Sequence, residues 1–204
     1  MKKKRLIIFD LDGVIVDSKK NMNIAWNDTS KKFQLNISFQ KYFEFLGLSF
    51  NKILKSLGLK KNFKSIANHY SKISLKNFNK IKLYKGVKNT LNYLKKENYV
   101  CIVTSKDKFR TKKLIKYFNL EFDYLSCPEK KLRPKPWPDQ ILKCINKFNI
   151  KKKDIFYIGD TYFDFLSAKR AGISFIYAKY GYGYGDKIYK TEINSIQNLR
   201  KFFE

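Results

Sequence analysis

Several residue types that often carry chemistry are scarce in this chain of 204 residues. It has three cysteines, Cys101, Cys127 and Cys144, which are far apart and form no CxxC pattern, and one histidine, His69. The cysteine spacing argues against paired disulfides or a cysteine zinc site, and a single histidine cannot supply a histidine metal cluster. We therefore expect the chemistry of this protein to be independent of imidazole, and its thiols to suit a reducing compartment.

Long hydrophobic runs are also missing. No run approaches the roughly 18 apolar residues that a membrane span needs. The basic start Met1–Arg5 resembles that of a signal peptide, but Asp10 and Asp12 interrupt the apolar stretch that follows it. We expect a cytoplasmic protein with no membrane association.

Acidic residues are few, with 17 Asp and Glu against 44 Lys and Arg, so the formal net charge is +27. Only 5 of the 44 basic residues are arginine, the side chain that contacts bases and phosphates bidentately. Lys, Asn, Ile, Phe and Tyr, which all have AT-rich codons, make up 109 residues. A biased base composition therefore accounts for the charge, and we expect no nucleic-acid partner. An electropositive surface that concentrates anions remains open.

The chain alternates short apolar runs with helical patterns. The hydrophobic share of 44% is sufficient for a buried core. The runs that predict buried strands are Arg5–Phe9, Tyr99–Val103, Phe122–Leu125, Ile155–Ile158 and Ile173–Tyr177. Helical stripes lie between them, for example Val87, Leu91 and Leu94 within Val87–Lys96. This alternation predicts an α/β fold with a parallel sheet flanked by helices.

One segment breaks the alternation. Residues 18–82 show helical spacing without a clear strand, as in the series Phe63, Ile66, Tyr70, Ile73 and Ile81. Shorter helices are predicted over Ser38–Leu46 and Asn51–Leu59, each interrupted by a glycine. We expect residues 18–82 to form a small helical domain inserted into an α/β core made of residues 1–17 and 83–204.

Polar residues follow the predicted strands where ligands bind in a parallel α/β sheet. These residues are Asp10 and Asp12 after the first strand, Thr104 and Ser105 after the second, and Asp160 and Asp164 after the fourth, with Lys135 in the proline-flanked segment Arg133–Pro136. Clustered carboxylates repel one another unless a divalent cation neutralises them, and oxygen-only ligands suit Mg²⁺. A lysine and hydroxyl groups suit a phosphate. The pattern predicts a magnesium site beside an anion site.

These residues also carry a family resemblance. Phe9–Ser18 (FDLDGVIVDS) resembles the first motif of the haloacid dehalogenase superfamily of phosphohydrolases, and Gly159–Asp164 (GDTYFD) resembles the fourth. Thr104-Ser105 resembles the second motif and Lys135 the third. The resemblance extends from Ile8 to about Gly185. It implies a Rossmann-like parallel-sheet core with an inserted all-helical C1-type cap, as in the phosphoglycolate phosphatase-like members of subfamily I.

The resemblance also implies a role for each matching residue. Asp10 would be the nucleophile and a Mg²⁺ ligand, and Asp12 the general acid and base, with its backbone carbonyl on the metal. Thr104 and the backbone of Ser105 would hold the phosphoryl oxygens, and Lys135 would offset negative charge. Asp160 would complete the metal site, with Asp164 as a direct ligand, a ligand through water, or an orienting group.

Several functions remain open under this resemblance. Dehalogenases lack an acid and base two residues after the nucleophile, so Asp12 favours phosphoryl transfer. The preferred function is a Mg²⁺-dependent phosphatase acting on a small phosphorylated metabolite, and the alternative is a β-phosphoglucomutase-like mutase. A non-catalytic polyanion-binding protein on the same fold is the alternative of another class. We expect a monomer or a weak homodimer.

Three further features have structural or weaker functional interpretations. Asp17 is interpreted as a helix cap for the inserted segment. Gly47 resembles the cap glycine turn that faces the substrate. The run Gly181–Gly185 lacks the lysine and helix start of a phosphate loop, and we interpret it as a turn near the site.

Overall fold

The computed structural model describes residues 4–183 and 189–204. This part of the chain contains eight strands and nine α-helices. The strands are β1 (Leu6–Phe9), β2 (Val16–Asp17), β3 (Lys82–Leu83), β4 (Tyr99–Val103), β5 (Tyr124–Ser126), β6 (Ile155–Gly159), β7 (Ser174–Ala178) and β8 (Glu192–Ile193). The helices are α1 (Lys19–Lys32), α2 (Phe39–Phe43), α3 (Phe50–Ser56), α4 (Phe63–Lys76), α5 (Val87–Lys95), α6 (Lys108–Tyr117), α7 (Asp139–Ile145), α8 (Tyr162–Ala171) and α9 (Asn198–Phe202). None of these helices is both long enough and apolar enough to cross a bilayer.

Six of the strands form one parallel sheet in the order β5-β4-β1-β6-β7-β8. β1 lies in the middle, and its last residue, Phe9, is paired with Ile102 of β4 and Ile158 of β6. The ends of three strands are therefore adjacent at one edge of the sheet. The prediction of an α/β fold with a parallel sheet is confirmed.

The sequences of the central strands are continuous apolar runs because helices cover both faces of the sheet. In β1, Ile7 and Phe9 pack into one hydrophobic core, which includes residues of α5 and α9. Leu6 and Ile8 point to the opposite face and pack into a second core with residues of α7 and α8. The alternation of side chains along the strand divides its four residues between the two cores.

Helices α1–α4 have a hydrophobic core of their own. Its buried residues include Trp26 and Tyr42, whose rings stack with centroids 4.4 Å apart, and Leu54, Ile66 and Tyr70. The indole N–H of Trp26 donates to the Ile37 carbonyl at 2.9 Å, which satisfies the polar atom of this buried ring. These four helices therefore pack as a unit beside the sheet.

A short antiparallel ladder joins this unit to the rest of the chain. Val16 pairs with Leu83, and Asp17 pairs with Lys82, which places the start and the end of the inserted segment side by side. The sequence prediction missed β2, β3 and β8. Each has only two residues, too few to show an alternating pattern.

Other element boundaries differ from the predictions. β5 begins two residues later than predicted because Asp123 precedes it, with its side chain accepting the Val100 N–H at 2.7 Å. Ile81 was wrongly placed in the helical series, since α4 ends at Lys76 and a short 3-10 turn, Phe78–Lys80, follows. The helices α2 and α3 are shorter than predicted, and Gly47 and Gly58 follow them with positive φ angles of 98° and 83°.

Candidate active site

Three polar residues follow the adjacent ends of the central strands. Asp10 follows β1, Thr104 follows β4 and Asp160 follows β6. Their exposed fractions are only 6%, 1% and 0%. The parallel topology thus brings residues 150 positions apart in the sequence to one buried point at the edge of the sheet.

Lys135 contacts Asp10 and a further buried carboxylate, Asp164. Its Nζ atom donates to Asp10 Oδ1 at 2.6 Å and to Asp164 Oδ1 at 2.7 Å, and the side chain is 1% exposed. Burial alone would lower the pKa of Lys135, but the Asp10 and Asp164 carboxylates outweigh it and raise the pKa above its usual value. The ammonium group is therefore a fixed positive charge between two buried carboxylates.

Asp164 is held by hydrogen bonds at both carboxylate oxygens. Oδ1 also lies 2.9 Å from the hydroxyl of Tyr157, a buried residue of β6. Oδ2 accepts from Thr161 N at 3.0 Å and from Thr161 Oγ1 at 2.6 Å. The Asp164 backbone N–H donates to Thr161 Oγ1 at 3.3 Å in return, which completes a capping box at the start of α8. Asp164 therefore joins the start of α8 to Lys135, and the choice among its three predicted roles stays a prediction.

Asp160 is positioned differently. Its Oδ2 accepts the Tyr182 backbone N–H at 2.7 Å, whereas its buried Oδ1 has no hydrogen-bond partner among the described residues. Carboxylate oxygens of Asp10, Asp160 and Asp164 lie within 4.8 Å of one another. A buried carboxylate oxygen without a partner is costly, and a cation would satisfy it.

The pKa values of Asp10 and Asp160 are raised, which also favours a bound cation. Burial raises the pKa of Asp10 to about 7, with Lys135 opposing the shift and the Asp164 and Asp12 charges adding to it. Burial also raises the pKa of Asp160, and the carboxylates of Asp164 and Asp10 raise it further. A divalent cation would stabilise the ionised forms, and the oxygen-only donor set fits Mg²⁺.

Asp12 lies apart from the three clustered carboxylates. Its Oδ1 accepts from the Ser18 hydroxyl at 2.5 Å, and its Oδ2 lies 3.1 Å from Lys106 Nζ. The Asp12 side chain therefore contacts the start of the inserted segment on one side and the loop after β4 on the other.

A small cavity connects these residues with the inserted helices. We call it the catalytic chamber; its volume is about 50 Å³. The core contributes Asp10, Asp12, Thr104, Ser105, Lys106, Arg110 and Thr161, and the inserted unit contributes Met22, Tyr42, Leu46, Gly47, Leu48, Phe50, Ile53 and Tyr70. The Ser105 hydroxyl donates to the Gly47 carbonyl at 2.6 Å, so the two units are in contact across the chamber.

The sequence comparison agrees with this arrangement of motifs. Residues 7–178 match the family described as haloacid dehalogenase-like hydrolase, which covers most of the chain. The protein belongs to this family. The match includes Asp10, Asp12, Thr104, Ser105, Lys135, Asp160 and Asp164 within its span. The resemblance inferred from the motifs is confirmed, and so is the prediction that the protein is a hydrolase.

This hydrolase is similar to curated phosphatases over nearly its whole length. It is 28% identical to phosphoglycolate phosphatase of Aquifex aeolicus, covering 87% of this chain and 86% of that protein. It is 27% identical to glyceraldehyde 3-phosphate phosphatase of Pyrococcus furiosus, covering 89% and 83%. The crystal structure of a hydrolase from Pseudomonas syringae superposes with a TM-score of 0.88 at 21% identity, covering 98% of each chain. That likeness confirms the fold.

The hydrolase contains site residues that sequence reasoning missed. Lys106 and Arg110 both line the catalytic chamber, and Tyr157 contacts Asp164. Nothing in the sequence distinguishes Lys106 from the other lysines, of which the chain has 39 in all. Tyr157 lies in an apolar run that predicts a buried strand, so its hydroxyl is not predicted to be part of a site. Arg110 could have been noticed, because the chain has only 5 arginines and this one lies five residues after the second motif.

Two secondary predictions concern the entry to the inserted unit. Asp17 Oδ1 accepts the backbone N–H of Lys19, the first residue of α1, at 3.1 Å, but the residue at the N-cap position is Ser18. Tyr182, from the predicted turn Gly181–Gly185, accepts the Ser18 N–H through its hydroxyl and lies beside Asp160. Tyr184 and Gly185 of that turn lie outside the described residues.

The contact between Gly47 and the core gives a testable prediction. A Cβ atom at Gly47 would lie 2.6 Å from Thr161 Oγ1, whereas a Cβ at Gly58, which has a similar positive φ, would meet nothing within 4 Å. Alanine at either position strains the backbone by about 1 kcal/mol. We expect Gly47→Ala alone to lower kcat/KM as well, by about 10- to 100-fold, because it displaces the inserted unit from Thr161.

Steady-state kinetics and thermal unfolding of Gly47→Ala and Gly58→Ala, measured side by side, check this. Gly47→Ala is expected to lose more stability than Gly58→Ala, because it adds the overlap with Thr161 to the same backbone strain. Equal kcat/KM values for the two variants would contradict a functional role for the contact.

Proposed function

We propose that this hydrolase is a Mg²⁺-dependent phosphatase that acts on a small phosphorylated metabolite through an aspartyl-phosphate intermediate. The observation that carries the proposal is the buried set of Asp10, Asp160 and Asp164 around Lys135 at the strand ends. The names of the curated relatives, which are phosphatases, support the reaction class.

The proposed reaction has two steps at Asp10. Its carboxylate attacks the phosphorus atom, the bond from phosphorus to the ester oxygen breaks, and Asp12 donates a proton to the leaving oxygen. Asp12 then removes a proton from a water molecule, which attacks the aspartyl-phosphate and releases inorganic phosphate. Asp12 is suited to this exchange since it lines the catalytic chamber together with Asp10.

The other site residues have supporting roles in this proposal. Lys135 holds Asp10 Oδ1 and offsets negative charge that accumulates there. Thr104 and the backbone of Ser105, which line the chamber beside Asp10, hold the phosphoryl oxygens. Asp10, Asp160 and the Asp12 carbonyl hold Mg²⁺, with Asp164 as the group that orients Lys135. The bound cation supplies charge that stabilises the phosphoryl oxygens.

The inserted helices serve as a cap in this proposal. We assign the core to residues 1–17 and 83–204 and the cap to residues 18–82, which meet at the β2–β3 ladder. The two units are in contact beside the chamber between them, for example where the Ser105 hydroxyl donates to the Gly47 carbonyl. The small size of the chamber suits a short substrate.

Purified protein is expected to release inorganic phosphate from phosphoglycolate, glyceraldehyde 3-phosphate or related small esters when Mg²⁺ is present. Removing the cation with EDTA should lower the rate by at least about 100-fold, and added Mg²⁺ should restore it. Acid quenching during turnover of a radiolabelled substrate should trap label on the protein, at Asp10. Full activity in EDTA, or turnover without trapped label, would overturn the proposal.

A further inference from the structure

The catalytic chamber has a second polar end, away from the clustered carboxylates. Arg110, in the first turn of α6, lines the chamber and is 9% exposed. Its Cζ atom lies 5.3 Å from the ring centre of Tyr70, and its Nη1 lies 3.4 Å from the Ser74 hydroxyl. Tyr70 and Ser74 belong to α4 of the inserted unit, so the guanidinium group lies where the two units meet.

Asp107 fixes the orientation of this arginine. The Asp107 carboxylate accepts the Arg110 backbone N–H at 2.9 Å and also the side-chain Nε–H. An arginine has five N–H donors in a rigid planar group, and the contacts with Asp107, Ser74 and the Tyr70 hydroxyl use three of them. Donors therefore remain for a ligand, on a group whose position is already set.

Two phenol groups complete the polar end. The hydroxyls of Tyr42 and Tyr70 are hydrogen-bonded at 3.2 Å, and both rings are buried and line the chamber. Burial raises the pKa of both phenols, so they stay neutral hydrogen-bond donors. The carboxylates that line the chamber, Asp10 and Asp12, belong to the end where the phosphoryl group is proposed to bind.

We propose that Arg110 selects substrates that carry a second anionic group, a carboxylate or a second phosphate, close to the phosphoryl group that is transferred. This inference rests on the proposed phosphatase function and assigns a substrate class to it. Guanidinium and phenol donors form the combination that binds an oxyanion in a buried site. Asp10 and Arg110 line the same small chamber, so a substrate that reaches both has its two anionic groups close together.

Lys106 is the other cation that lines the chamber, but its position gives it a different role. Its Nζ lies 3.1 Å from Asp12 Oδ2, at the phosphoryl end. A change at Lys106 would therefore alter the environment of Asp12, whereas Arg110 can be changed without touching Asp10 or Asp12.

The test compares two-carbon phosphate esters that differ in the charge of the remote group. The esters are phosphoglycolate (anionic), 2-hydroxyethyl phosphate (neutral), phosphoethanolamine (cationic) and ethylene glycol bisphosphate, which carries a second phosphate. The proteins are the wild type, Arg110→Gln, Arg110→Lys and the control Lys112→Gln, which changes an exposed lysine of the same helix.

The wild type is expected to prefer one of the two esters with an anionic remote group over the ester with a neutral one, and the better of the two identifies the anionic group. Arg110→Gln should lower kcat/KM for that ester by about 10- to 100-fold, mainly through KM, with less than about 3-fold change for 2-hydroxyethyl phosphate. Turnover of phosphoethanolamine should rise in Arg110→Gln, because a repelling charge is removed. Arg110→Lys should retain part of the preference, and Lys112→Gln all of it.

Equal losses for all four esters would show that Arg110 only holds the inserted unit in place, and would overturn this inference. A wild type that hydrolyses the neutral ester as well as the anionic ones would also overturn it, while leaving the phosphatase function intact. A wild type that hydrolyses none of these esters, nor p-nitrophenyl phosphate, would refute the proposed function itself.

Discussion

Replacing Asp10 with asparagine is expected to lower kcat by at least about 10⁴-fold, because the amide cannot attack phosphorus. The fold should survive the change. Burial raises the pKa of Asp10 to about 7, so the ionised carboxylate is itself costly where it lies, and asparagine can still accept the hydrogen bond from Lys135. Phosphate release at saturating substrate and Mg²⁺ measures the loss, and circular dichroism verifies the fold.

The matched control makes the same chemical change at Asp28, an exposed residue of α1 that pairs with His69. Asp28→Asn should keep full activity. If Asp10→Asn retained more than about a tenth of the wild-type kcat with an intact fold, Asp10 could not be the nucleophile, and the aspartyl-phosphate mechanism would fail with it.

Lys135→Met is expected to cause the largest loss of stability of any single lysine replacement proposed for this protein. Lys135 is 1% exposed and neutralises two buried carboxylates, and removing one member of a buried ion pair costs about 3–5 kcal/mol. For a chain of this size such a change lowers the unfolding temperature by roughly 10 °C. Activity should also fall, since Asp10 loses the contact that holds its Oδ1.

Lys143→Met provides the comparison, because Lys143 also makes two close contacts to a carboxylate, Glu129, but on the surface. Surface ion pairs contribute little, so its unfolding temperature should hardly change. Thermal unfolding of both variants in EDTA and in Mg²⁺ measures the difference. A Lys135→Met protein as stable as Lys143→Met would mean that the buried carboxylates are not ionised in the folded protein.

The parts of the site that the sequence predicts are those that the sheet itself positions. Asp10, Thr104 and Asp160 each follow an apolar run, and parallel strands bring their ends to one edge. Strand positions alone do not predict Lys135, since it reaches the site from a loop. Its proline-flanked setting and the family resemblance identify it as a candidate. The structure brings all four together, while their chemical roles stay proposals.

What the sequence does not predict depends on side-chain packing between distant segments. The contacts of Asp164 with Tyr157 and Lys135 join three elements, and no local pattern encodes them. The same holds for Arg110, whose neighbours Tyr70 and Ser74 lie in the inserted helices. Hydrophobic periodicity cannot detect two-residue strands such as β2 and β3, because they are defined by their pairing and not by their composition.

The arginines help to interpret the large positive charge. Each of the five is engaged within the protein: Arg5 with the Phe203 carbonyl, Arg110 with Asp107, Arg133 with Asp139, Arg170 with the Pro136 carbonyl and Arg200 over the Tyr93 ring. The excess positive charge is carried by lysine because the chain has 39 lysines and only 5 arginines, and its origin in base composition stays a prediction. The absence of a nucleic-acid partner, the cytoplasmic location and the monomeric or weakly dimeric state stay predictions.

The ladder between β2 and β3 restricts how the inserted helices can move. The chain enters and leaves the inserted unit through two neighbouring strands, paired at Val16–Leu83 and Asp17–Lys82. Sliding the inserted unit along the core would break these pairs, whereas a rotation about them would not. Displacement in a rotation grows with distance from its axis. Ser18 follows the ladder directly, so its hydrogen bond to Asp12 lies close to the axis of such a rotation and would be displaced little by it.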